Sequence, residues 1–252
     1  LFNWIQSYFT NCKSSFQSIN VQFFVIIASS IKHLIQKIIG PVDPNSQAKN
    51  PNIQQTINQK MQKLQGLLTP LIELSYQGLL FYSKSFSLHD EIIVNKSLRL
   101  ITRFIDSPSL SQSNLNILLQ MMTQIPDDSR FFHIKQNFII VTSCIALRQG
   151  DFPHKAQFFE YARESSIYLI SHFHLFPLSS KRKLTIFLQH LKFFFSKMPT
   201  KSISTYRTAS DALWPLFVNS QIGSQSHVLL CHVFFKLIDR DLLLQNLDLS
   251  TS

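Results

Sequence analysis

Glycine is scarce in this chain: five residues in 252, at positions 40, 66, 78, 150 and 223. Phosphate-cradling and dinucleotide-binding loops need several glycines within one turn, so neither has a place here. A turn-rich sheet protein would also be short of its turn residues. Charge is sparse at 15% of residues, against 45% apolar, which excludes a disordered chain. Cysteine is rare and odd in number. Cys12, Cys144 and Cys231 lie far apart, and the last two sit in apolar helical runs where a thiol acts as a small hydrophobe. A disulfide framework is therefore not expected, and a reducing compartment is the default. Long hydrophobic runs are missing too. The longest, Val21 to Ile31, contains Gln22, Ser29 and Ser30 and meets Lys32 and His33. A bilayer-spanning helix needs about 20 predominantly apolar residues. The chain begins at Leu1 with no basic n-region before that run and no cleavage signal after it, so it reads as cytoplasmic and as a piece of a longer protein.

What is present is phenylalanine, at 23 positions, spaced as amphipathic helices space it. The stretch from Phe131 to Phe176 organises the reading. Phe131, Ile134, Phe138, Val141, Ile145 and Leu147 keep close to helical period. Gln149 and Gly150 stop that helix, Asp151 offers a cap, and Pro153 suits a first helical position. The period resumes at Phe159, Ala162, Ser166, Leu169, Phe173 and Phe176. The expectation is an antiparallel hairpin whose apolar stripes need a neighbouring hairpin.

Before it, Phe2 to Phe9 reads as a short or capping helix, and Asn20 to Ile39 as a strongly apolar one ended by Gly40 and Pro41. PVDPNSQAKNPN, at 41–52, has three prolines and no period, so it is expected to be a flexible loop and the internal linker. That divides the chain into an N-terminal helical segment (1–40), the loop, and a helical-repeat region (53–252). Ile53, Ile57, Met61, Leu64 and Leu68 mark one stripe, and Thr69-Pro70 opens a helix running to about Lys84. Ser87 with Asp90 resembles a capping box, with Val94, Leu98, Ile101 and Ile105 behind it. Breaks at Ser107-Pro108-Ser109 and Pro126 to Ser129 flank a helix carrying Leu115, Leu118, Leu119 and Met122. Leu184 to Met198 carries an aromatic stripe, Ile203 to Phe217 a helix interrupted at Pro215, and Val228 to Ile238 a last helix. Starts recur roughly every 22 residues, so two helices make a unit of about 45, the period of HEAT-like pairs. The predicted fold is all-α: an irregular α-solenoid of antiparallel helix pairs, with a compact helical bundle as runner-up.

Chemistry-bearing constellations are weak. His172 and His174 are two apart, a spacing that does not place two ligands on one helix face, and His154 stands apart from them. Cys231-His232 has no supporting acid, and Asp127-Asp128 and Asp239-Arg240-Asp241 suit helix ends. No catalytic, cofactor or metal residue is singled out, and the chain reads as a non-enzyme. The net charge of +10 is spread singly between apolar positions, with Lys181-Arg182-Lys183 the densest cluster. That favours solvated helix faces over a nucleic-acid surface. A helical-repeat protein of nucleic-acid binding or nuclear transport is the alternative. Tyr161, Tyr168 and Phe193 beside Arg163 and Lys192 have the composition of interface anchors, so these five are the candidate partner-binding residues.

Three stretches carry a family resemblance. They are CIALRQGDFPHKAQFFEYARESSIYLISHFHLFP (Cys144 to Pro177), LTIFLQHLKFFFSKMP (Leu184 to Pro199) and HVLLCHVFFKLI (His227 to Ile238). In order and spacing, from about Leu79 onward, they resemble the C-terminal solenoid of the large scaffold subunits of retromer and retriever, the retriever type being closer. The N-terminal region diagnostic of that family is absent, and 1–78 match no part of it. The resemblance implies a scaffold of endosomal sorting and recycling. It implies phosphodiesterase-like and arrestin-like partner subunits, peripheral association with endosomal membranes, and no cofactor. It transfers no functional residue.

Overall fold

The computed structural model describes residues 2–39, 66–104, 110–148 and 152–172, with scattered positions between 189 and 232. The described elements are helical, with no strand among the described residues, so the chain is all-α as its spacing predicts. It divides into two compact units, Leu1–Pro126 and Asp127–Ser252. The division falls at the Pro126–Ser129 break and not at the 41–52 loop, which lies outside the described residues. The expected separate segment at 1–40 is instead part of the first unit, because its two helices pack on later ones.

In the first unit, α1 spans Phe2–Ser14, α2 Val21–Ile39, α3 Leu68–Ser85, α4 Leu88–Phe104 and α5 Gln112–Gln124, with a 3-10 turn at Phe16–Ser18. The central pair is α3 on α4. Odd helices then pack on odd ones, α1 and α5 both against α3, while α2 packs on α4. Helix α1 runs past the expected Phe9, because Cys12 and Phe16 extend the buried line of Ile5 and Phe9. Asn20 caps α2 through its side-chain oxygen, which accepts from Phe23 N–H at 3.0 Å. The stripe proposed over 53–64 lies outside the described residues.

Helix α3 begins at Leu68, one residue before Thr69-Pro70, and no side chain caps it. Its centre holds Gly78 where α4 and the 3-10 turn come closest. A Cβ there would lie 2.7 Å from Val94 Cγ2 and 2.9 Å from two ring carbons of Phe16. The helix ends at Phe86 with φ 49°, a left-handed residue whose N–H donates to the Tyr82 carbonyl at 2.8 Å. The turn into α4 differs from a simple capping box. Ser87 Oγ accepts from His89 N–H at 3.1 Å, but Ser87 N–H donates to Ser85 Oγ, and Ser85 donates to Asp90 Oδ2 at 2.7 Å. Ser85 therefore relays between the two residues that would close the box directly. Helix α5 is capped by Ser111, which accepts from Asn114 N–H at 3.2 Å.

In the second unit, a 3-10 turn at Ser129–Phe131 leads into α6 (Phe132–Ala146), and α7 covers Lys155–Ser171. These two helices pack on each other. Helix α6 is buried around most of its circumference, polar positions included. Thr142, Ser143 and Asn137 meet the burial cost by donating to carbonyls one turn back, at 3.1, 2.5 and 3.0 Å. The start of α7 corrects two expectations. Pro153 precedes the helix as a turn residue, and His154 takes φ 67°, which a right-handed helix does not admit. The His154 carbonyl instead accepts the first helical bond, from Phe158 N–H at 3.1 Å. The inward stripe is Phe158, Ala162, Ser165, Ser166 and Leu169, so Phe158 takes the buried place expected of Phe159, which is half-buried.

Candidate functional site: an aromatic face on the first two helices

Helix α1 turns Ile5, Phe9 and Cys12 inward, a spacing of four and three. Trp4 and Tyr8 are one residue back from the first two, so they lie along the flank of that stripe. Their rings stack at 5.9 Å with 16° between planes. Tyr8 then meets Phe23 of α2 edge-on at 5.5 Å. One layer below, Phe9 and Phe24, both fully buried, repeat the edge-on contact at 5.8 Å. The outer layer is therefore built on an inner one and is fixed by it. Yet it faces solvent: Trp4 is 53% exposed, Phe23 45% and Ile26, one turn beyond, 61%. Side chains about half exposed forgo roughly half of the about 1.5–3 kcal/mol that full burial contributes.

The titratable groups of this face are chemically quiet. Burial pushes the Tyr8 phenol well above its usual range, and the neighbouring Cys12 adds to the rise. Burial likewise raises the Cys12 thiol, with a hydrogen bond to Tyr8 pulling the other way. A thiol held above its ordinary value is mostly protonated at neutral pH, so it lacks the thiolate that nucleophilic or redox chemistry needs. On the α2–α4 flank, Lys96 is pushed down by burial and by the positive charges of Arg99 and Lys32. Burial also lowers Arg99. Among the described residues no group of three or more His, Cys, Asp or Glu could hold a metal ion. No described helix is long and apolar enough to cross a membrane.

The candidate partner-binding residues fall differently. Tyr161 is half-buried on α7 and meets Phe138 of α6 edge-on at 5.5 Å. Burial raises its phenol; Ser165 opposes the rise and Asp127 adds to it. Tyr168, one heptad on, meets Phe132 edge-on at 6.1 Å, contacts His172 at 4.2 Å, and carries the Lys135 ammonium 5.0 Å from its ring centre. Both rings are half-buried, and each meets a ring of α6 on one side. Arg163 is half-buried and paired with Glu160 at 2.6 Å and Glu164 at 3.4 Å. Lys192 and Phe193 lie outside the described residues. The sequence reading missed Trp4, Phe23 and Ile26. A signal for the first existed, since Trp4 and Tyr8 are spaced one turn apart beside the Ile5–Phe9–Cys12 stripe. None existed within Phe23-Phe24-Val25-Ile26-Ile27, where every residue is apolar and inside cannot be told from outside. Comparison with protein families, curated proteins and solved structures found no match.

Proposed function

We propose that this protein is a non-catalytic helical scaffold that binds another protein, and that the outer aromatic layer of α1 and α2 is a surface through which it does so. The observation carrying this is the Trp4–Tyr8–Phe23 array, ordered by the rings beneath it and continued by Ile26. Interfaces draw most of their energy from a few aromatic anchors. A ring already held in place loses little conformational freedom on binding, so more of its burial energy remains as affinity. The alternation of odd helices against odd, with α2 on α4, supports a helical-repeat scaffold, the kind of fold that displays long faces and needs no enclosed pocket.

The finer reading is a subunit of an endosomal sorting or recycling complex, acting from the cytoplasm with phosphodiesterase-like and arrestin-like partners. It rests on the order of three stretches, of which Cys144–Pro177 is largely described and the other two are described only at scattered positions. Affinity purification from the native cell, with the unaltered chain and with an F23D/I26D variant, tests both levels. The expected outcome is a defined set of proteins lost with the variant while its circular dichroism is unchanged. Phosphodiesterase-like and arrestin-like subunits in that set would support the finer reading. Identical recoveries from the two baits would refute the surface. A second reading, nucleic-acid binding, draws on the mutual repulsion of Lys32, Lys96 and Arg99. Steep weakening of RNA or DNA binding with salt would favour it.

A further inference from the structure

The connection between α1 and α2 is stacked on α3 through Phe16 and Phe81, and it is hydrogen-bonded by His89, whose two ring nitrogens both face acceptors. Nδ1 lies 2.9 Å from Asp90 Oδ1, and Nε2 lies 2.9 Å from the carbonyl oxygen of Ile19, the second residue before α2. A carboxylate and a carbonyl offer lone pairs only. Both contacts are hydrogen bonds when both nitrogens carry protons, which is the imidazolium cation. The neutral ring has one N–H, so in either tautomer one contact becomes lone pair against lone pair. Asp90 sharpens the difference. Its side chain is 11% exposed, and its other oxygen already accepts from Ser85. With a neutral ring beside it, that largely buried carboxylate loses the cation paired with it, which is costly.

We infer that His89, Asp90 and the Ile19 carbonyl form a proton-operated clasp on the α1–α2 connection, closed while the ring is a cation and released when it is neutral. Burial alone would lower the pKa of His89. The Asp90 hydrogen bond, the Ile19 carbonyl and the Asp90 charge together outweigh burial and hold it above the usual histidine value. The other groups on the elements packed here do not reverse this. Phe16, from the 3-10 turn, presents a ring edge at 6.3 Å and does not titrate. The charged pair joining α1 to α3, Lys13 with Glu73, is closed at 2.8 Å, and Lys84 at the end of α3 is exposed. On α4, Glu91 accepts from the Asn95 side chain at 3.3 Å.

For a histidine raised on folding, the stabilisation is complete below the unfolded pKa of about 6.5 and is lost as pH rises through the folded value. The working window therefore opens near neutrality and extends upward. What the clasp releases is the Ile19 end of the connection, while Phe16 keeps its stack on Phe81 and α1 and α2 keep their packing on α3 and α4. The clasp itself does not depend on what the aromatic face binds.

The test uses the full chain. Imidazole 15N shifts are followed from roughly pH 5.5 to 9, the span across which histidine changes charge. Amide exchange over 15–24, corrected for its intrinsic pH dependence, is measured on the same samples. Expected are a His89 pKa above that of a free histidine, both nitrogens protonated at the acid end, and an opening constant rising with deprotonation. The rise is up to about tenfold for each unit by which the pKa is elevated. H89Q keeps one donor but cannot titrate, so its opening constant should be high and flat with pH. D90N should lower the His89 pKa. A His89 pKa at or below the free value, or opening in 15–24 that ignores pH, would overturn the clasp, as would an H89Q profile that tracks the unaltered chain. If either variant fails to fold, the titration and exchange of the unaltered chain decide alone.

Discussion

Replacing Gly78 by alanine sets two effects of opposite sign against each other. Helix propensity alone favours the change, since glycine inside a helix is less favourable than alanine by about 1 kcal/mol. The surroundings oppose it. The new methyl would sit 2.7 Å from Val94 Cγ2 and 2.9 Å from two Phe16 ring carbons, where carbon contacts relax to about 3.5–4.0 Å. Neither neighbour yields cheaply. Valine in a helix holds one side-chain rotamer nearly always, and Val94 is fully buried. The Phe16 ring is stacked on Phe81 at 5.1 Å with 4° between planes. Helices α3 and α4 must therefore part, or Phe16 must leave its stack. Overpacking of this kind costs about 1–3 kcal/mol, so the net expectation for G78A is a loss of about 1 kcal/mol. Urea denaturation followed by circular dichroism reads it as a lower midpoint with an unchanged slope. The companion variant V94A removes the nearer methyl, so the double variant should lose less than the two singles combined, a coupling that marks physical contact. A G78A chain more stable than the original by about 1 kcal/mol would refute the reasoning, because propensity would then have won and the close approach would be absent.

Two further outcomes follow from the side chains described. Lys135 is only 3% exposed while its partner Asp127 is 62% exposed, so K135M leaves a solvated carboxylate behind and should be neutral or stabilising, whereas K135A leaves a cavity and should cost about 2 kcal/mol; melting temperatures compare them. Cys12 should be the slowest of the three cysteines to react with a thiol reagent at neutral pH, and mass spectrometry of partially labelled protein resolves the order.

Where the determinants are local, the elements were legible. Asn20 ahead of an apolar run marked the start of α2, because a cap acts within three residues of itself. Ser87 and Asp90 marked the start of α4, though not the relay through Ser85. Neighbouring identical residues hid the register of α7, since Phe158 and Phe159 differ only in which one the turn before them points inward. That turn depends on the left-handed His154, a conformation histidine tolerates without requiring it. The candidate site was harder to read. A ring is exposed or buried according to what packs beside it, and the partners of α1 and α2 come from α3 and α4. His89 offers no local sign of its contact with Ile19, 70 residues away. The proline-rich stretch at 41–52 suggested a linker by composition, yet the helices before it belong with those after it.

That same separation shapes how the protein is made. Helices α1 and α2 leave the ribosome well before the surfaces that cover them, for Lys13 waits 60 residues for Glu73 and Ile19 waits 70 for His89. At about 5–20 residues per second, the second interval lasts roughly 4 to 14 seconds. For most of it Phe9, Phe16 and Phe24 have one another and neither a complete α3 nor α4 to pack against. Nascent chains in this condition are clients for chaperones that hold apolar segments. Slow codons between the second and third helices would lengthen the exposure, while slow codons after the fourth would give the unit time to close before the next one emerges.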